Sequence, residues 1–82
     1  MQQQEALEKV VSILKPFVKN QEALATVAME TSILKDLKVN SARLVDVVLE
    51  IEDTFNIAVT DEDADRVKTV GDAVNLVLSA TN

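Results

Sequence analysis

The chain has 82 residues, a formal net charge of −6, 48% hydrophobic side chains, one glycine, one proline and neither cysteine nor histidine. The missing cysteine and histidine exclude a disulfide framework, a thiolate zinc site and most transition-metal chemistry, and the negative charge disfavours nucleic acid as a ligand. We therefore expect a single domain over residues 1–82, too small for a deep catalytic cleft, and all-α because one glycine and one proline leave little for tight hairpins.

The first predicted helix runs from about Gln4 to Val18. Its apolar residues recur three and four positions apart, which is typical of a helix with one face in the core. They are Leu7, Val10, Val11, Leu14, Phe17 and Val18. Pro16 lacks a backbone donor and disfavours helical geometry at Lys15, so the helix is predicted to end or kink there.

Residues 19–39 have no clean period and are predicted to form a long connection. A turn of helix is compatible with residues 22–27, and Ile33, Leu34 and Leu37 are expected to anchor the connection in the core. So long a connection in so small a domain is usually functional or packed by its own side chains.

Residues 40–55, NSARLVDVVLEIEDTF, predict one long amphipathic helix with Asn40 or Ser41 as its N-cap. At about 100° per residue, one stripe faces the core and the opposite face lies in water. The core stripe contains Leu44, Val47, Val48, Ile51 and Phe55, and the solvent face contains Arg43, Asp46, Glu50 and Asp53. Val45 and Leu49 lie between these two faces as an apolar strip bordered by carboxylates. Such a strip indicates a docking surface.

Two further helix starts follow. Thr60, with Asp63 three residues on, resembles a capping box and predicts a short helix. Thr69, with Asp72 three residues on, predicts the last helix, whose apolar run is Ala73, Val74, Leu76, Val77 and Leu78. The sequence therefore predicts three longer helices and one short one, with a long first loop.

The charge is unevenly distributed along the chain. Residues 1–38 carry five basic and five acidic side chains, whereas residues 39–82 carry three basic and nine acidic ones and hence the whole net charge. A basic protein partner is the natural complement to such a surface. No apolar run approaches the roughly 20 residues of a membrane span and the N-terminus shows no signal-peptide pattern, so we expect a cytoplasmic protein without a membrane span.

The stretch KDLKVNSARLVDVVLEIEDTFNIAVTDEDADRVKTVGDAV resembles the acyl carrier proteins. Members of that family show an apolar pair and an Asp-Leu before an Asp-Ser-Leu motif, then an acidic helix ending in phenylalanine, an acidic short helix, and Thr-Val at the start of the last helix. The matching residues are Ile33, Leu34, Asp36, Leu37, Ser41, Phe55, Thr69 and Val70. The resemblance runs without a gap from about residue 33 to about residue 78.

This resemblance implies a small four-helix bundle that carries acyl groups and is not itself an enzyme. Ser41 would bear a covalent 4′-phosphopantetheine arm, on which the cargo of fatty acid, lipid or secondary-metabolite synthesis is held as a thioester. The partners would be a phosphopantetheinyl transferase and acyl-transferring or acyl-activating enzymes with basic docking patches, and the carrier would be a monomer. The docking residues would be Arg43, Val45, Asp46, Leu49, Glu50 and Asp53.

Four residues depart from the family pattern. Asn40 replaces the usual aspartate before the serine, and Ala42 replaces the usual leucine after it. Lys38 and Arg43 place positive charge where carriers of fatty acid synthesis usually have glycine and a polar or acidic residue. Because the general transferase reads an acidic helix start with its own basic residues, these departures indicate a specialised carrier served by its own pathway enzymes.

An alternative role for Ser41 stays open at this stage. The serine can be a helix N-cap in a carrier-like helical module that binds proteins and is never modified, and Asn40 and Ala42 favour that interpretation. An enzyme with a catalytic serine has little support, because the chain has no histidine to act as its base and no Gly-x-Ser-x-Gly turn.

The aspartates of the last third also resemble part of a calcium loop. Asp61, Asp63, Asp65 and Asp72 stand at its positions one, three, five and twelve. Arg66 occupies the position that needs glycine and an aspartate replaces the bidentate glutamate, so we expect a solvated short helix and predict no metal site.

Overall fold

The computed structural model of the protein describes residues 2–81 and is built from helices. Within that range the α-helices are α1 (Gln3–Leu14), α2 (Leu44–Phe55), α3 (Asp61–Asp65) and α4 (Val70–Thr81), and 3₁₀ turns occupy Lys15–Phe17, Gln21–Thr26 and Ser41–Arg43. An isolated antiparallel bridge joins Ser32 to Thr69. The predicted all-α fold, with three longer helices and one short one, is confirmed. No helix in the described range is long and apolar enough to cross a bilayer.

Helix α1 packs chiefly against α4 and secondarily against α2. Its fully buried residues are Ala6, Val10 and Leu14, one per turn, whereas Leu7 and Val11 are half-buried. The prediction placed Leu7 in the core and passed over Ala6. Ala6 is fully buried although its side chain is small, and the spacing of the larger apolar residues does not reveal this.

Helix α1 ends just before Pro16, as the sequence predicted. The α-helix stops at Leu14 and the chain continues through the 3₁₀ turn Lys15–Phe17, because proline has no N–H to continue the ladder. The N–H of Val18 then donates to the carbonyl of Leu14 (3.1 Å), and the Val18 side chain enters the core.

The connection over residues 19–39 contains the helical turn that the sequence suggested, as the 3₁₀ segment Gln21–Thr26. Ile33 and Leu37 are buried, but Leu34 is 40% exposed, so its predicted place in the core is wrong. A second turn, over residues 32–36, is closed by the Asp36 carboxylate, which accepts from the N–H of Ser32 (2.8 Å). That turn directs Ile33 and Leu37 inward and leaves Leu34 outside.

The same connection is hydrogen-bonded to the start of α4. The N–H of Gly71 donates to the carbonyl of Met29 (2.7 Å), the N–H of Val70 to that of Thr31 (2.9 Å), and the N–H of Ile33 to that of Lys68 (3.0 Å). A Cβ at position 71 would stand 2.7 Å from the Met29 carbonyl oxygen, so glycine is required by the closeness of the two backbones.

Candidate functional site

Ser41 is exposed and is the first residue of the 3₁₀ turn that leads into α2. The cap of this turn is Asn40, which has an extended backbone and whose Oδ1 accepts from the N–H of Ala42 (2.9 Å). Among residues 2–81, none forms a hydrogen bond with the Ser41 hydroxyl. Of the two N-caps that the sequence allowed, the structure therefore selects Asn40. Ser41 is exposed, and its hydroxyl does not cap the helix.

The loop before Ser41 is set by Lys38, whose φ of 59° lies in the left-handed region. Lysine is uncommon in the left-handed region. The acyl carrier proteins that the sequence resembles usually have glycine at this position. After Lys38 the chain turns inward, so that Val39 is buried and its N–H donates to the carbonyl of Ile33 (3.2 Å). This places Asn40 and Ser41 at the surface.

A cleft of about 310 Å³ lies between α2 and α3, with Ser41 at its edge. We call it the α2–α3 cleft. Its lining is mainly aliphatic and includes three carboxylates. The aliphatic lining comprises Leu44, Val45, Val48, Leu49, Val59 and Ala64, and the carboxylates belong to Glu52, Asp61 and Asp65.

Two features keep the α2–α3 cleft open. Leu44, which the sequence placed in the core, is only half-buried because it forms part of the cleft wall, so that prediction is corrected. Helix α3 begins at its predicted cap, where Thr60 Oγ1 accepts from the N–H of Asp63 (3.1 Å), but none of its five residues is buried. A helix held by one cap and its flanks covers the cleft without filling it.

Sequence reasoning missed the residues that form the far wall. The Glu52 carboxylate accepts from the N–H of Val59 (3.1 Å) and so ties the segment before α3 to α2. The chain reverses between them at Asn56, which closes α2 in the left-handed conformation (φ 54°). Val59 and Ala64 reach the cleft only through this reversal, for which an asparagine directly after Phe55 is the local signal.

The predicted docking residues are distributed over two sides of α2. Val45 and Leu49 are 65% and 54% exposed and line the α2–α3 cleft together with Ser41. Glu50 is exposed as expected, but it lines a separate depression between α1 and α2, with Lys9 opposite. The apolar strip and Glu50 therefore belong to different surfaces.

The remaining charged docking residues lie outward. Asp53 is exposed, and Arg43 pairs with the partly exposed Asp46 (Nη1 to Oδ2, 3.2 Å). An exposed ion pair of this kind contributes about 0–1 kcal/mol, so the Arg43 guanidinium stays free to exchange partners.

The four aspartates that resembled a calcium loop have other roles. Asp61, Asp63 and Asp65 lie on helix α3, and no group of three or more carboxylates among residues 2–81 is arranged to hold a metal ion. The Asp72 carboxylate accepts from the N–H groups of Thr69 (3.1 Å) and Lys68 (3.0 Å), and these bonds lower the pKa of Asp72. The Thr69 hydroxyl accepts in return from the N–H of Asp72 (3.1 Å), which completes the predicted capping box of α4.

Comparison with known proteins gives two findings. Residues 8–77 match the protein family described as "Phosphopantetheine attachment site". The chain is also similar to a solved structure of the acyl carrier protein from Enterococcus faecalis, studied for its high thermal stability. The identity is 34%, the match covers 98% of this chain and 99% of that one, and the TM-score is 0.79.

Proposed function

Because the chain belongs to the family of phosphopantetheine attachment domains, we propose that Ser41 is the residue on which it carries a 4′-phosphopantetheine arm. Domains of this family are the sites of covalent attachment of that group, and the function of the chain is that of an acyl carrier in fatty acid or related synthesis. Acyl carriers transport intermediates and leave catalysis to their partner enzymes. The arm supplies a thiol, absent from a chain without cysteine, which holds the acyl group as a thioester.

The observation that carries the proposal is that the side chain of Asn40, and not that of Ser41, caps the helix start. Asn40 caps the helix start, so the Ser41 hydroxyl is exposed and is not needed for stability. The N–H groups at this helix start and the helix dipole favour a negative charge by about 0.3 to 1 kcal/mol at an exposed position. A phosphodiester on Ser41 Oγ is therefore chemically compatible with its surroundings.

The attachment reaction follows from these groups. The Ser41 oxygen forms a bond to the phosphorus that bears the pantetheine of coenzyme A, the phosphoanhydride bond breaks, and adenosine 3′,5′-bisphosphate leaves. The serine proton passes to a base of the transferase, since the carrier has no histidine to accept it.

The α2–α3 cleft is the part of the molecule suited to the cargo. It opens beside Ser41, and its walls are formed by aliphatic residues such as Val48 and Val59. Burying an alkyl chain there removes apolar surface of both cargo and cleft from water, at about 25 cal/mol per Å². The carboxylates of Glu52, Asp61 and Asp65 make part of the cleft lining polar.

Partner enzymes would dock on the exposed strip of Val45 and Leu49, with Asp46 and Asp53 beside it. Apolar side chains within a negative field suit a partner whose docking patch is basic with an apolar centre. Replacing Asp46 and Asp53 with lysine should weaken binding to a cognate enzyme several-fold, and wild-type binding should weaken as salt rises, since exposed charges are screened over about 8 Å at physiological ionic strength. Binding that is independent of salt would contradict this.

The decisive experiment is intact-mass measurement of the folded protein after incubation with coenzyme A and a broad-range phosphopantetheinyl transferase. We expect the added mass of one phosphopantetheine group, lost in Ser41→Ala and retained in the matched control Ser79→Ala, which alters another exposed serine. Asn40→Asp should accelerate the reaction, because it restores the carboxylate that the general transferase reads. Added mass that persists in Ser41→Ala would mean that the site is elsewhere.

The second candidate is an unmodified helical module that binds proteins through the same surface. The asparagine and alanine that flank Ser41 favour it. If several transferases leave the protein, including the Asn40→Asp variant, at its unmodified mass, this second candidate replaces the first.

We further propose that the carrier is a cytoplasmic monomer, which sedimentation equilibrium and cell fractionation would test.

A further inference from the structure

Ser41 lies between two depressions of opposite charge. Among the described residues that line it, the α2–α3 cleft has three carboxylates and no cation. On the other side of the serine, the end of α1 and the helix start form a depression of about 490 Å³ that includes Lys19, Asn40 and Arg43 and, among its described lining residues, no carboxylate. The sign of the charge thus reverses across the serine.

The second depression continues along α1. Pro16 and Phe17 line both it and the depression between α1 and α2, where Lys9 and Glu50 lie. We call the two together the α1–α2 furrow. It carries three cations against one carboxylate in a chain whose net charge is −6. The furrow is therefore a positive surface on a negative protein.

The floor of the furrow is apolar. Ile13 and Phe17 are half-buried, Pro16 is exposed, and Phe17 is one of only two aromatic residues in the chain. An apolar floor between cations is complementary to a segment that carries apolar side chains flanked by carboxylates. The exposed Arg43 would exchange its weak ion pair with Asp46 for such a carboxylate.

Two of the residues that depart from the acyl carrier pattern lie in this furrow. Asn40 replaces an aspartate and Arg43 replaces a polar or acidic residue, so both substitutions remove negative charge or add positive charge on the α1 side of Ser41. On the cleft side, Val45, Leu49 and the carboxylates follow the usual pattern. Of the four departures, the two in the furrow thus make it more positive, whereas Lys38 and Ala42 line neither the furrow nor the α2–α3 cleft.

We propose that the α1–α2 furrow binds an acidic segment with apolar side chains, belonging to the enzyme that acts at Ser41. Such a partner holds the carrier from both sides, with basic residues against α2 and α3 and acidic residues against Lys19 and Arg43. A partner with only basic residues at its docking site is disfavoured by repulsion at Arg43. The inference rests on the proposed function only in identifying the partner as an enzyme of Ser41.

The test uses the full, unmodified, ¹⁵N-labelled chain and two short synthetic peptides, one of glutamate and leucine and one of lysine and leucine. The acidic peptide should shift the amide signals of residues 13–15, residues 17–19, Asn40 and Arg43, whereas the basic peptide should shift those around Val45 and Leu49. The double variant Lys19→Glu/Arg43→Glu should weaken acidic-peptide binding about fivefold or more. The matched control Lys35→Glu/Lys68→Glu changes two exposed lysines outside the furrow and should have no such effect.

Several outcomes would overturn the proposal. They are the absence of saturable binding of the acidic peptide, shifts confined to the α2–α3 cleft, and equal affinity of the Lys19→Glu/Arg43→Glu variant. Binding to phosphatidylglycerol vesicles without peptide binding would make the occupant a lipid surface. A dimer that this double variant abolishes would make the occupant the acidic helix α3 of a second copy.

The peptide experiment is independent of modification at the serine. Ser41→Ala should bind both peptides like the wild type, since Asn40 and not Ser41 holds the helix start. A protein that binds the acidic peptide in the furrow but is never modified would refute the carrier proposal alone. A protein that is modified at Ser41 but does not bind the peptide would refute the furrow proposal alone.

Discussion

The α1–α4 pair and the α2–α3 pair of helices differ in composition and in burial, because four of the five residues of α3 are acidic and only Ala64 is aliphatic. Helix α4 buries Val70, Gly71, Ala73, Val74 and Val77, whereas α3 buries none of its five residues. The first pair is further fixed by backbone hydrogen bonds between the connection and the start of α4, such as that from Gly71 to Met29. The second pair is held by the cap at Thr60 and by the bond between Glu52 and Val59.

This difference places stability and carrier function in separate regions. Aliphatic side chains such as Leu44 and Val59 are not covered by one another and leave the α2–α3 cleft open, which is the cleft proposed to take the cargo. A core that closes completely, as around Leu14, has no such space. The tightly packed pair of helices is therefore expected to supply most of the stability, and the open pair to supply the proposed cargo site.

The largest expected effect comes from the same change made in each region. Leu14→Ala removes a fully buried side chain from α1 and should lower the free energy of unfolding by about 2 to 5 kcal/mol. Leu49→Ala removes a side chain that is 54% exposed and should cost less than about 1 kcal/mol. Leu44→Ala should fall between them. Equal losses for Leu14 and Leu49 in urea unfolding would show that the two regions are not differently packed.

The contact between the connection and α4 gives the next effect. Gly71→Ala forces a Cβ to within 2.7 Å of the Met29 carbonyl oxygen, so the backbones must separate, at a cost of about 1 to 3 kcal/mol. Asn75→Ala, an exposed position of the same helix, is the matched control and should be close to neutral. A stabilised Gly71→Ala protein would mean that helix propensity outweighs this contact.

The cap at the start of α2 gives a smaller effect. Asn40→Ala should cost about 1 kcal/mol, because the N–H of Ala42 loses its acceptor, whereas Ser41→Ala should change the stability by only a few tenths of that amount. Thermal unfolding of both variants measures the contrast. The reverse order would assign the cap to Ser41 and weaken the case for its modification.

The smallest effect concerns pH and the capping box of α4. The pKa of Asp72 is lowered by the N–H groups of Thr69 and Lys68, so its carboxylate stabilises the fold above the unfolded pKa of about 3.9 and loses that contribution as the pH falls through the lower folded pKa. Asp72→Asn should therefore cost less than about 1 kcal/mol at neutral pH, because solvent screens the charge of this partly exposed carboxylate. The difference from wild type should vanish well below pH 4 in urea titrations, and a difference that persists there would point to a role other than charge.

Several features of the fold and the site could be predicted from the sequence because they depend on neighbours along the chain. Pro16 ends α1 because of its own missing N–H, and Thr60 and Thr69 cap helices whose first turns follow directly. The spacing of Val45 and Leu49 placed them outside the core stripe, and both are exposed.

The sequence alone thus determined the helices, the caps at Thr60 and Thr69 and the acidic surface, and through the family resemblance it singled out Ser41 as the candidate site. Tertiary structure decided that Asn40 rather than Ser41 is the cap, that Leu34 is exposed, that Leu44 lines a cleft and that Gly71 meets Met29. The physical reason is that helix periodicity and capping are set within one or two turns of the chain. Whether a given side chain is covered depends on how closely another segment approaches it, and that distance is fixed only when the helices pack.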